Sequence, residues 1–250
     1  MLKVLKAGFL TSIQDKGRIG FASVGVPVSG AMDSYSADLA NGILNNSLKD
    51  AVLEITLGVC QFQFLEKTTI CISGGDFSPM INDEMMPLNK RIAIHKNDIL
   101  SFGKINYGVR CYLAVKGGLL SEKKLNSRSY YSNITKNFII KKNDFIAYKK
   151  FDNEKTTSKS SVKIDKNHFE SIVLECFKGP EFYLLAEHQQ EKITNQIFTI
   201  SKDNSRMGYK LSEVLENDLP QILTSAVLSG TVQLTPSGKL IVLMRDCQVT

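Results

Sequence analysis

Hydrophobic and polar positions alternate through much of the first half of the chain. Phe62 and Phe64 interleave with Gln61 and Gln63, and Val109, Cys111, Leu113 and Val115 interleave with Arg110, Tyr112 and Ala114. A period of two sends successive side chains to opposite faces, so both runs predict half-buried β-strands. Between such runs stand Gly74-Gly75-Asp76, Lys96-Asn97-Asp98 and Gly117-Gly118, compositions that tolerate the backbone angles of tight turns. Many short strands at close spacing predict a barrel or a sandwich. After Asp33 the period changes. Ala37, Ala40 and Leu44, with Leu39 and Ile43, repeat at helical spacing, and Asp33 or Ser34 can cap the free amides of a helix of about three turns.

Residues 149–167 are nearly empty of apolar side chains and predict an exposed polar linker between an N-terminal part, 1–148, and a C-terminal part, 168–250. Beyond it, Gly179-Pro180-Glu181 can open a second helix that continues through Phe182, Leu185, Ala186 and Gln189. Near the end, Thr231 to Leu234 and Leu240 to Met244 flank Pro236-Ser237-Gly238 and predict a hairpin. No repeat of solenoid period is present.

Composition narrows the class. A chain of 250 residues with 43% hydrophobic and 22% charged side chains has the usual globular mix. The five cysteines are odd in number, widely spaced and lack a C-x-x-C pair, which argues against a disulfide framework and a zinc knuckle and fits a reducing cytoplasm. Gln14, Asp15 and Lys16 interrupt the N-terminal run before a signal peptide develops, and no later run approaches the roughly 20 apolar residues of a membrane helix. The net charge of +6 owes much to lysines between Lys123 and Lys166, in a stretch without an RNA-binding motif. It reads as a solvated surface, with neither nucleic acid nor membrane as partner.

The densest polar cluster is Gln14-Asp15-Lys16-Gly17-Arg18 followed by Gly25-Val26-Pro27-Val28-Ser29-Gly30-Ala31-Met32-Asp33. Its glycines let backbone approach a ligand, and Asp15 and Arg18 offer an acceptor and a charged donor fork for an amide or carboxylate. The same spacing fits an ion pair across a surface turn, and Asp33 fits an ordinary helix cap. In the second half Arg206 stands in a polar loop beside Gly208, and Arg128 stands similarly between Ser127 and Ser129. Either arginine can hold a carboxylate or an oxyanion, or simply face solvent. Asp246 follows the apolar run Leu240 to Met244, at a strand end suited to a site or to a turn. No G-x-x-x-x-G-K-S/T, G-x-G-x-x-G or H-E-x-x-H is present, and His95, His168 and His188 lie far apart without a partner pattern. A self-sufficient ATPase, dehydrogenase or zinc hydrolase is therefore disfavoured, and no metal site is expected.

These motifs resemble those of the biotin-dependent carboxyltransferase-like family, which includes the C component of 5-oxoprolinase, the antagonist of the sporulation kinase inhibitor, and allophanate-hydrolase-subunit-2-type domains. The resemblance rests on the two clusters above, then Ala40-Asn41, Leu53-Glu54-Ile55-Thr56-Leu57-Gly58, Tyr112 to Gly118, Ser127-Arg128-Ser129 and Gly179-Pro180-Glu181. It continues through Arg206-Met207-Gly208-Tyr209, Gly230-Thr231-Val232-Gln233-Leu234 and Asp246-Cys247-Gln248, in the family's order over essentially the whole chain. It implies a mainly β fold of two cyclophilin-like β-barrel subdomains with a few short helices. It implies a catalytic set of Asp15, Arg18, Arg206 and Asp246, with Gln14, Ser29, Asp33, Asn41, Arg128 and Gln233 binding substrate.

The implied activity is that of one component in an ATP-dependent complex opening 5-oxoproline to glutamate. The implied partners are a kinase-inhibitor-like protein, the B component of such a complex, and a lactam-utilising A component. No cofactor is expected on this chain alone, since ATP would be handled through the partner subunits. The alternatives are carboxyl transfer to urea from biotin on a separate carrier, and non-catalytic regulation of an inhibitor-like partner. Family members normally continue past the position of Thr250 into Gly-Gly-Tyr-Pro, so a shortened second barrel is expected. Lys210, the Thr235 to Ser237 turn and Leu240 stand where the family usually has arginine, Pro-Asp and proline.

Overall fold

The computed structural model describes residues 1–149, 161–164, 167–170, 173–220, 222, 225 and 227–247. The chain forms two compact units, one of Met1–Arg18 with Ser29–Ser171 and the other of Ile19–Val28 with Ile172–Thr250. The linker expected over 149–167 lies mostly outside the described residues, as does Gln248. Within the described part of that stretch, Ser161 forms an isolated antiparallel bridge with Lys90.

The first unit contains strands β1 (Leu2–Lys6), β2 (Leu10–Gln14), β3 (Val52–Thr56), β4 (Gln61–Phe64), β5 (Thr68–Asp76) and β6 (Met80–Ile81). It continues with β7 (Glu84–Met85), β8 (Ile92–Ile94), β9 (Ile99–Ser101), β10 (Tyr107–Val115), β11 (Leu119–Leu120) and β12 (Phe145–Tyr148). They build a seven-stranded sheet in the order β11-β12-β1-β4-β9-β6-β7 and a five-stranded sheet in the order β2-β3-β10-β5-β8. Neighbours in the five-stranded sheet run antiparallel, with Leu53 opposite both Ile13 and Leu113. Helix α1 (Ser34–Ile43) has the capped start that its sequence predicts, and a short α2 (Asn167–Glu170) places the His168 ring 4.7 Å from that of Tyr35.

Strand periodicity explains the layers. Ile55, Ile72, Cys111, Leu113 and Val115 point from the five-stranded sheet into one core with Phe62, Phe64 and Leu100 of the other sheet. The opposite face of the same strands carries Val52, Cys71, Tyr112 and Ala114, and these pack against Ala37, Ala40, Ile43 and Leu44. Small alanines on the inner side of α1 let helix and sheet approach closely. β10, expected to be half-buried, is consequently buried on both faces from Cys111 to Val115. Gly74 and Gly75, expected in a tight turn, instead lie within β5, where the register of its partner β10 shifts between Tyr107 and Cys111. A Cβ on Gly74 would stand 2.9 Å from the Arg110 carbonyl oxygen, and Gly74 has φ +91°. Glycine is needed here for close backbone approach at an irregular ladder.

The second unit contains β13 (Gly208–Val214), β14 (Val232–Leu234) and β15 (Lys239–Leu243) in the order β13-β15-β14. The predicted hairpin is β14–β15, closed by the Gly238 amide donating to the Thr235 carbonyl at 2.9 Å. The helix expected from Pro180 is different. Phe182–Leu184 form one 3-10 turn, Leu185 is extended and buried, and α3 (Glu187–Asn195) starts afresh. Extension at Leu185 buries its side chain at the expense of helical continuity, and the Gln189 side chain caps the new start by accepting the Ala186 amide at 2.8 Å.

Core burial has a measurable consequence. Burial pushes the Cys71 thiol up to about 12 from the ordinary 9.0, raises the Cys60 and Cys111 thiols as well, and pushes the Tyr148 phenol up to about 12. The folded protein thus keeps protons that the unfolded chain releases above pH 9, so stability falls as pH rises from there toward 12. Denaturant midpoints are expected to be insensitive to these groups up to about pH 9 and to drop beyond it. In the native protein the exposed Cys176 is expected to alkylate first, with Cys60, Cys71 and Cys111 reacting only on unfolding, as read by peptide mass.

Candidate functional site

β2 ends at Gln14, and the chain turns through Asp15 to Arg18. The Asp15 carboxylate gathers four donors. Its Oδ1 accepts from the Gly17 amide at 2.8 Å, the Ser127 hydroxyl at 2.6 Å and the Ser129 hydroxyl at 2.7 Å, and its Oδ2 accepts from the Arg128 amide at 2.6 Å. The Asp15 amide in turn donates to Ser129 Oγ at 3.0 Å. Fully buried Arg18 donates through Nη2 to the Ser129 carbonyl. A turn and a loop more than 110 residues apart in sequence are thereby locked into one structure.

The Ser29–Asp33 segment packs onto this turn. The Ala31 amide donates to the Asp15 carbonyl at 3.0 Å, and a Cβ on Gly30 would come within 2.9 Å of the same oxygen. Gly30 has φ +93°, so both space and backbone angle demand glycine. Lys16 pairs with Asp38 on α1. Gln14 is oriented by its Nε2, which donates to Ser12 Oγ at 2.9 Å and to the Tyr130 carbonyl at 3.4 Å. Its Oε1 and the Ser29 hydroxyl are buried polar atoms with no hydrogen-bond partner among the described residues. Ser29 also holds a left-handed backbone, φ 57°, uncommon for a side-chain-bearing residue. Buried polar groups are nearly always satisfied, and these two belong to the segments on either side of the Asp15 turn.

The other expected site residues are distributed as follows. Arg128 donates from Nη1 to the Ser121 carbonyl and lends only its backbone amide to Asp15. Asp33 caps α1, accepting from the Ser36 amide at 3.0 Å and from the Ser36 hydroxyl. Asn41 donates to the Asp50 carbonyl at 2.9 Å and accepts from Asn46 at 3.1 Å, fixing the chain after α1. In the second unit Arg206 and Asp246 meet as a buried fork, Nε to Oδ2 at 2.9 Å and Nη2 to Oδ1 at 3.2 Å. Gln233 lies on β14 opposite Ile241 and is exposed. Among the described residues no group of three or more His, Cys, Asp and Glu could hold a metal, and no helix is long and apolar enough to cross a membrane.

Three buried polar side chains that hold these segments escaped sequence reasoning. Ser127 and Ser129, two apart and both fully buried, turn their hydroxyls to one carboxylate. Glu54 is a charge inside the wholly buried strand β3. Its signal was a lone carboxylate in the apolar run Val52 to Ile55.

Residues 24–250 match the model of the carboxyltransferase domain, subdomain A and B. The chain belongs to that family. Along its full length this carboxyltransferase-family chain is 27% identical, over 256 residues, to the C component of 5-oxoprolinase from Escherichia coli, covering 81% of that protein. It is 40% identical over 131 residues to the urea amidolyase of Lachancea kluyveri, a match covering 52% of this chain and 7% of that much longer protein. The crystal structure of the K. lactis urea amidolyase superposes with a TM-score of 0.79 at 27% identity, covering 98% of this chain and 16% of the other. The chain thus spans most of the bacterial protein and a small part of the yeast enzymes. The superposition agrees with the mainly β fold class expected from the alternation.

Proposed function

We propose that this chain is the C component of an ATP-dependent 5-oxoprolinase complex, opening 5-oxoproline to glutamate. Its partners are an inhibitor-like B component and a lactam-utilising A component. The observation that carries the reading is the similarity to the bacterial 5-oxoprolinase component along the whole chain. The local chemistry supports it. Attack on a lactam carbonyl builds negative charge on its oxygen, and a donor already fixed in place stabilises that charge without reorganisation. Arg18, buried and anchored on the Ser129 carbonyl, is such a donor. Gln14 Oε1 and Ser29 Oγ are suited to hold the lactam N–H. Asp15, with four donors on its two oxygens, organises the Ser127 to Ser129 loop. The chain has no phosphate-binding glycine loop, so ATP belongs to the partner subunits.

A second reading, carboxyl transfer from carboxybiotin to urea, is favoured by the 40% identity to a urea amidolyase. The same two acceptors suit a ureido N–H, whether of urea or of the biotin ring. Biotin would arrive on a separate carrier, because this chain has no Met-Lys-Met attachment sequence.

Co-expressed with its two partners, the chain is expected to support ATP-dependent glutamate release from 5-oxoproline. Leaving it out should abolish turnover. Arg18→Ala should reduce turnover by roughly 100-fold, the scale of losing one oxyanion donor. Arg18→Lys keeps the charge but loses the fork, and should recover only part of the rate. An intact complex that is inactive on 5-oxoproline but consumes ATP in a urea-dependent way with biotin carboxylase would replace the first reading by the second.

A further inference from the structure

Glu54 is buried to 1% exposure on the α1 side of the five-stranded sheet, where a carboxylate is costly to place unless its lone pairs are used. They are used on one short segment. Oε2 accepts from the Met32 amide at 2.7 Å and from the Tyr112 hydroxyl at 2.9 Å, and the Tyr112 oxygen accepts from the Asp33 amide at 2.8 Å. Glu54 and Tyr112 are direct cross-strand partners on β3 and β10, so rigid sheet holds two consecutive amides of the chain above it. Arg110 Nε lies 3.8 Å from Oε1 and steadies the charge. The segment so tethered is the one whose Ala31 amide and Gly30 backbone bear on the Asp15 carbonyl, and which begins with the strained Ser29.

We infer that Glu54 is a positioning residue for the site around Asp15. It sets the height of the Ser29 to Asp33 segment over the sheet, and through it the placement of the Ser29 hydroxyl and the Asp15 turn, without touching substrate. The inference rests on the amide-handling role proposed above. The job needs a carboxylate. A glutamine keeps its oxygen toward both the Met32 amide and the Tyr112 hydroxyl only by turning its N–H2 group toward the Arg110 guanidinium, so the charge is lost and donors face each other. An aspartate is one methylene too short to reach.

The test compares Glu54→Gln and Tyr112→Phe with wild type in the full complex, by amide hydrogen exchange and by steady-state kinetics. In Glu54→Gln, protection at Met32 and Asp33 is expected to fall roughly tenfold, the scale of exchanging charge-assisted for neutral hydrogen bonds with Arg110 set against a donor, while β1 and β4 amides keep theirs. KM for the small amide should rise by a similar factor, with kcat changing less, because the displaced segment carries a binding group and no reacting one. Tyr112→Phe, which releases Asp33 and leaves the Met32 tie, should show a smaller change of about threefold confined to Asp33. If Glu54→Gln does not fold, Tyr112→Phe carries the test alone. Unchanged exchange at Met32 and Asp33, or changed exchange with unchanged KM and kcat, overturns the inference. The kinetic arm is read on whichever reaction the wild-type complex runs, lactam opening or carboxyl transfer. Absence of 5-oxoproline turnover therefore counts against the proposed function and not against Glu54.

Discussion

Asp15→Asn is expected to cost about 2–4 kcal/mol of stability and to reduce turnover of the assembled complex by roughly 100-fold. The carboxylate sits where four donors converge, three on one oxygen and one on the other. An asparagine satisfies only one of these sides. Its best orientation gives the oxygen to Gly17, Ser127 and Ser129, which turns an N–H2 group against the Arg128 amide. Two donors then face each other, and the Ser127 to Ser129 loop must move. Hydrogen bonds to charged groups contribute about 1.5–3 kcal/mol each, and members of one network do not add, which sets the range. The loss of rate follows from the next link in the chain, because the Ser129 carbonyl that moves is the one anchoring Arg18. Denaturant midpoints of the isolated chain and glutamate release by the complex check the two numbers separately. Ser127→Ala, which removes one donor and no charge, should lower stability by about 1 kcal/mol and leave the loop in place. Full stability and near wild-type turnover in Asp15→Asn would show that the carboxylate does not organise the site.

Period-two patterning was enough to locate β4, β10 and the β14–β15 hairpin, because those signals are local to the strands themselves. What it could not show was the second apolar layer. Tyr112 and Ala114 occupy the alternate face of β10, and only the arrival of α1 from elsewhere in the chain buries them. Gly74-Gly75 illustrates a different limit. Glycine reports that backbone needs room, and whether a turn or a neighbouring carbonyl takes that room is decided by Arg110 on another strand. The site divides along the same line. The glycine-rich residues 14–18 and 29–33 were visible as a cluster because they are near in sequence, and they do close on one another. Their partners Ser127 and Ser129 were visible only as a motif beside Arg128, since a pairing across more than 110 residues has no periodic signature. Asp33 and Asn41 show how local duties absorb polar atoms: one caps α1 and the other ties the chain after it.

Removing the Asp246 carboxylate is expected to be the most damaging single change in the second unit. Asp246→Ala should cost about 3–5 kcal/mol, because it leaves the buried Arg206 guanidinium without the fork that compensates its desolvation. The pair also joins two stretches of backbone, with the Asp246 amide donating to the Arg206 carbonyl at 2.8 Å and the Met244 amide to the Met207 carbonyl at 3.0 Å. Loss of the side chains therefore loosens the end of β15 against the start of β13. Most of that cost belongs to the charge left behind. Replacing both partners, as in Arg206→Met with Asp246→Leu, removes the charge along with its partner and should recover a large part of the lost stability. The double variant separates two roles that the fork alone leaves superimposed. A pair that only fastens the second unit should return turnover together with stability. A pair that holds or polarises an amide should return stability while glutamate release by the complex stays at the level of the single variants. The second outcome is expected, since β13 and β15 are already joined by their own ladder and by the Met244 and Asp246 backbone amides, so fastening alone does not call for a buried charged fork.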